Sequence, residues 1–70
     1  MSTEVEIRLN GESYLVPPGS TVADLVRRLE LAEDRVAVEL DRRIVRRPEW
    51  PAVTLRTGAA VEIVQVVGGG

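Results

Sequence analysis

Residues 4–16 read Glu4-Val5-Glu6-Ile7-Arg8-Leu9-Asn10-Gly11-Glu12-Ser13-Tyr14-Leu15-Val16, and this stretch decides how the chain begins to fold. Val5, Ile7 and Leu9 alternate with Glu4, Glu6 and Arg8, the period-two pattern of a strand with one dry and one wet face. Asn10-Gly11 then supplies two residues that tolerate positive φ, which a two-residue type I′ hairpin turn requires. That turn sets the register, with Leu9 opposite Glu12 and Ile7 opposite Tyr14. Tyr14 and Val16 therefore join the inward face of Val5 and Ile7 on a second strand at about 12–16. Pro17-Pro18-Gly19 ends it.

Outward from the hairpin, the next signal is a helix start. Thr21 is placed as N-cap with Asp24 three residues on, a capping box built with a shorter acid than usual. Val22, Leu25, Val26 and Leu29 fall at i, i+3, i+4 and i+7, one apolar stripe on a helix expected over about 21–30. Arg27 and Arg28 sit near its end, where cations meet the helix dipole favourably. Val36-Ala37-Val38-Glu39-Leu40 alternates again and reads as a third strand. Asp41-Arg42-Arg43 is expected as the turn into a short strand at Ile44-Val45. From Arg46 to Pro51 two prolines obstruct strand pairing, and Trp50 is expected to lie across the end of the core. Arg42, Arg43, Arg46 and Arg47 form a local basic cluster, either a solvated loop or a face for an acidic partner. Thr57-Gly58 is a turn into a last strand.

Composition narrows the chemistry. Seventy residues with 44% hydrophobic and 29% charged side chains suit one small globular domain. Cysteine and histidine are absent, which removes thiolate nucleophiles, imidazole bases and the usual zinc ligands from this chain. No metal site and no catalytic residue is expected, and the chain is read as not an enzyme. All nine basic residues are arginine, so neither a Schiff base nor self-linkage through a lysine amine is available. The arginines are interspersed with eleven carboxylates for a net charge of −2, not the clustered footprint of a nucleic-acid binder. No apolar run approaches the ~20 residues of a membrane span, and the start has no basic-then-apolar leader. The expected location is the cytoplasm, with the chain a monomer when free.

The last ten residues, Val61-Glu62-Ile63-Val64-Gln65-Val66-Val67-Gly68-Gly69-Gly70, pass from a β-branched strand to three glycines. Glycine fills no core but enters spaces closed to any Cβ. The segment is either a frayed end or a tail made for insertion, with the unobstructed carboxylate of Gly70 as its reactive group. The chain thus divides into a body at 1–67 and a flexible tail at 68–70. Val61 and Ile63 are assigned to the helix side of the sheet. Val64, Val66 and Val67, with Glu62 as polar neighbour, are candidates for a partner-docking face, and two-sided burial of a central strand is the competing reading.

The element order β, β, α, β, short β, β describes an α+β domain with one helix on one face of a mixed sheet of four to five strands. The first and last strands belong in its centre. The core is expected to hold Val5, Ile7, Tyr14, Val22, Leu25, Val26, Leu29, Val36, Val38, Leu40, Val61 and Ile63. This is the pattern of a β-grasp.

At this point the chain resembles the ThiS family of sulfur carriers in thiamine biosynthesis, which are ubiquitin-like β-grasp proteins. The resemblance is carried by the first strand with Asn10-Gly11, by Gly19-Ser20-Thr21-Val22-Ala23-Asp24-Leu25 and by Val36-Ala37-Val38-Glu39-Leu40. Ile44-Val45-Arg46-Arg47-Pro48-Glu49-Trp50 and the C-terminal ten residues complete it. Three positions depart from the family's usual pattern: Asp41 for Asn, Arg46 for Pro, and Ala59 for Asp. The first two are expected to touch only turn geometry, and the third to alter docking.

The resemblance implies that an E1-like adenylating enzyme activates the Gly70 carboxylate with MgATP and that a persulfide enzyme supplies the sulfur. The resulting thiocarboxylate would then serve thiazole synthase. Gly68, Gly69 and Gly70 would be the tail read by those enzymes, with no cofactor bound by the chain itself. Related carriers for molybdopterin and ubiquitin-like protein modifiers share the terminal glycines and are the alternatives.

Overall fold

A computed structural model of the chain describes residues 4–66. Strand β1 (Val5–Leu9) and strand β2 (Glu12–Val16) form the hairpin in the register set by its turn, with Ile7 opposite Tyr14 and Leu9 opposite Glu12. Asn10 and Gly11 have φ of 52° and 85°, the two positive values that a type I′ turn needs. Helix α1 (Val22–Arg28) follows, then a 3-10 turn at Glu33–Arg35, strands β3 (Val36–Leu40) and β4 (Arg43–Val45), a 3-10 stretch at Arg47–Ala52, and strand β5 (Ala60–Gln65). The sheet order is β2-β1-β5-β3-β4. The last strand is central, parallel to β1 and antiparallel to β3, as expected for the two strongly apolar strands.

The helix is shorter than its apolar stripe suggests. Glu30 turns to φ 57°, and its N–H donates to the Arg27 carbonyl at 3.0 Å while Leu31 N–H donates to the Val26 carbonyl at 3.3 Å. This is a Schellman stop. Glu30 occupies the left-handed position that glycine usually fills, so residue type alone concealed the end. At the other end the capping box forms as expected, Asp24 N–H donating to Thr21 Oγ1 at 3.2 Å and Thr21 N–H to Asp24 Oδ2 at 2.9 Å.

The turn after β3 is also tighter than expected. Arg43 belongs to β4, opposite Leu40, which leaves Asp41 and Arg42 as a two-residue turn at φ 50° and 71°. Asp41 does more than shape that turn: its N–H donates to the Ala60 carbonyl at 2.8 Å, and its Oδ1 accepts from Ala60 N–H at 3.0 Å. The turn is thereby pinned to the start of β5.

All twelve expected core residues pack in one cluster between α1 and the sheet. Val5, Tyr14, Leu29, Val36 and Leu40 are half-buried at its margin, and the rest are buried. Val16, Val45, Trp50, Leu55 and Ala59 are buried with them. Trp50 closes the end of the core, and its Nε1–H donates to the Val45 carbonyl at 2.9 Å, which satisfies the one polar atom of the ring. Leu55 arrives through a short pairing of residues 53–55 with the start of the helix, Val22 N–H donating to Val53 and Leu55 N–H to Ser20. Ser20, buried, donates its hydroxyl to the Pro17 carbonyl at 2.6 Å.

Candidate functional site

With α1 covering one face of the sheet, the other face is bare, and alternation decides what it shows. Along β5 Val61 and Ile63 are buried under the helix, so Glu62 and Val64 point away from it. Val64 is 60% exposed and Val66 is 53% exposed. The competing reading of two-sided burial for these valines is excluded. Val66 N–H donates to the Arg35 carbonyl at 2.6 Å, which holds the end of β5 beside β3. Val67, Gly68, Gly69 and Gly70 lie outside the described residues, as does the tail assigned at 68–70.

Register builds the rest of the face. Ala37 lies opposite Val64, and Glu39 lies between Glu62 on β5 and Ile44 on β4. Ile44 is 76% exposed, more than any other large apolar side chain on the described surface. The expected docking set of Glu62, Val64, Val66 and Val67 did not include it. Its signal was present in the alternation of β4, because a buried Val45 forces Ile44 to the opposite face. Leu15, on the same face at the far edge strand, is 49% exposed and lies opposite Glu6.

The chemistry of this face is apolar contact broken by carboxylates. A hollow of about 150 Å³ opens between Ala37, Glu39, Ile44, Glu62 and Val64. Arg8 also faces outward, opposite Ala60 on β5, with its guanidinium donating to the Gly11 carbonyl at 3.4 Å. The basic cluster sits at the β4 edge: Arg42, Arg43, Arg46 and Arg47 are all exposed, and Arg47 pairs with Glu33 at 3.8 Å.

The docking expectation attached to Ala59 is corrected by the structure. Ala59 is only 7% exposed and packs in the core, so its side chain is not offered to a partner. Among the described residues no group of three acidic side chains gathers to hold a metal ion, and no helix is long and apolar enough to cross a membrane.

Comparison with known proteins places this geometry. The model of the ThiS family matches residues 7–70. The structure resembles the crystal structure of the thiamine biosynthesis protein ThiS from Geobacter metallireducens with a TM-score of 0.80 at 30% identity, covering 94% of this chain and 100% of that one. A solution structure of a thiamine biosynthesis protein from the same organism gives a TM-score of 0.74 at 30% identity, over 94% of this chain and 88% of that one. A thiazole synthase from Magnetococcus marinus is 36% identical over 66 residues, 94% of this chain. The chain spans only 20% of that relative's length.

Proposed function

The chain belongs to the ThiS family, a family of thiamine biosynthesis, and from that premise we propose that it is a sulfur carrier whose working group is the carboxylate of Gly70. The observation that carries this reading is the family match, which spans residues 7–70 and so reaches from the first strand to Gly70. A carboxylate is a poor electrophile at neutral pH and must acquire a good leaving group before sulfur can attack. An E1-like adenylating enzyme with MgATP would supply it: a carboxylate oxygen attacks the α-phosphorus, pyrophosphate leaves, and an acyl-adenylate remains. The terminal sulfur of an enzyme persulfide then attacks the acyl carbon and expels AMP. The new bond is the acyl C–S bond. A thiol then attacks the enzyme-side sulfur of this acyl disulfide, the S–S bond that came with the persulfide breaks, a disulfide forms between that thiol and the enzyme cysteine, and the thiocarboxylate leaves.

Glycines at 68, 69 and 70 suit this task because a narrow channel can grip the backbone of a tail that carries no side chain, the C-terminal capture mode of peptide recognition. The body of the chain contributes position, not catalysis. Its exposed face, with Val64, Val66 and Glu62 on the strand that leads to the tail, would seat the enzymes that act on Gly70, with Val67 continuing that strand. Thiazole synthase is the acceptor we favour, supported by the likeness of this chain to one fifth of a thiazole synthase. The test is the intact mass of the chain after incubation with the adenylating enzyme, ATP and a persulfide donor. A gain of about 16 Da marks exchange of oxygen for sulfur. Large protein adducts would instead assign a modifier, and an unchanged mass would assign an inert interaction module.

A further inference from the structure

The outer face of the sheet carries two acids where packing would favour none. Glu39 and Glu62 stand directly opposite each other on the adjacent strands β3 and β5, an arrangement in which like charges repel. The two ion pairs among the described residues are Arg27 with Asp24 and Arg47 with Glu33, so neither Glu39 nor Glu62 is neutralised within them. Apolar groups flank the pair, with Ile44 beside Glu39 on β4 and Ala37 beside Val64 in the neighbouring row. The hollow of about 150 Å³ lies among these five side chains.

We propose that this face docks a partner surface that is apolar at its centre and carries one arginine, which enters the hollow between Glu39 and Glu62. The charge complementarity selects this occupant. Two carboxylates on neighbouring strands accept the forked N–H groups of one guanidinium, and the aliphatic stem of an arginine lies against Ile44, Ala37 and Val64. An ammonium is a compact, strongly hydrated charge and matches the two-acid geometry less well. Repulsion between the two acids in the free carrier is relieved in the complex, so the same pair that weakens the body strengthens the contact. Resting on the carrier reading above, the partner is thiazole synthase.

The test is titration calorimetry of the full chain with purified thiazole synthase, in about 50 mM and about 500 mM NaCl. Glu39→Gln with Glu62→Gln should weaken binding by about tenfold at low salt and flatten its salt dependence, while the thermal midpoint of the variant stays equal or rises. Val64→Ser, which keeps both acids, should also weaken binding but leave the salt dependence as in the parent. A double glutamine variant that binds within about twofold of the parent overturns the proposal. So does a parent chain that ignores the synthase, or one that pairs with a second copy of itself through this face. The intact-mass assay separates the two readings: a parent that gains sulfur while the glutamine variant binds normally leaves the carrier function standing and removes the arginine seat. A parent that gains no sulfur, with synthase binding still lost in the variant, does the reverse.

Discussion

Asn10 and Ile63, 53 residues apart, exchange two hydrogen bonds: Ile63 N–H donates to Asn10 Oδ1 at 2.9 Å, and Asn10 Nδ2 donates to the Ile63 carbonyl at 3.4 Å. Asn10 N–H also donates to the Val61 carbonyl at 2.8 Å. A turn residue thus continues the parallel ladder between β1 and β5 with its side chain, after the backbone has turned away. Asn10→Gly keeps the positive φ but removes the side chain, leaving the Ile63 N–H without its acceptor. It should cost about 1–3 kcal/mol in urea unfolding. A loss near zero would mean that water replaces the side chain freely.

Two residues stand at positive φ without the excuse of being glycine or a short amide or acid. Glu30 ends the helix at φ 57°, and Arg42 takes the second place of the β3–β4 turn at φ 71°. Glu30→Gly and Arg42→Gly should each raise stability by about 0.5–1 kcal/mol, because relief of the left-handed backbone outweighs the added freedom of glycine in the unfolded chain. Thermal unfolding of each variant checks this, and a drop in midpoint would count against the backbone argument.

Asp24 supplies an acid-sensitive element. The backbone hydrogen bond from Thr21 to its carboxylate, helped by the Thr21 side chain and the nearby Arg27, holds its pKa below the ordinary 3.8. Its charge therefore contributes stability that is fully present above 3.8 and is lost as the pH falls through the lower folded value. The difference in thermal midpoint between parent and Asp24→Asn should be largest near neutrality and close as the pH drops below that range. A difference that stays constant down to strong acid would show that the charge plays no part.

The fold was legible where local chemistry and tertiary need agree. Alternation in Val5, Ile7 and Leu9, the Asn10-Gly11 turn, and the Thr21/Asp24 cap each specify the geometry they adopt. The β3–β4 turn has the same kind of geometry as the hairpin but is made by Asp41-Arg42, and the helix stop is made by Glu30. Neither Arg42 nor Glu30 announces left-handed backbone. Ala59 and Leu55 are buried by long-range pairing that no local pattern encodes. On the candidate face, Val64 and Glu62 followed from the inward facing of Val61 and Ile63. The Glu39–Glu62 juxtaposition needed the register of β3 on β5.

The tail should be read by position and by the absence of side chains. Gly69→Val places a branched side chain in a channel fitted to glycine, and should abolish sulfur acceptance while leaving the thermal midpoint unchanged, since the tail is assigned no part in the core. A lowered midpoint would show instead that the tail supports the body.

Deletion of Gly70 draws the terminal carboxylate back by about 3.5 Å, against a tolerance of about 1 Å for productive geometry. The most direct measurement is therefore the intact mass of the parent and the Gly70-deleted chain, side by side, after incubation with the adenylating enzyme, ATP and a persulfide donor. The account predicts a gain of about 16 Da in the parent and none in the shortened chain, at equal thermal midpoints. A shortened chain that gains sulfur at the parent's rate, or a parent that gains none, would contradict it.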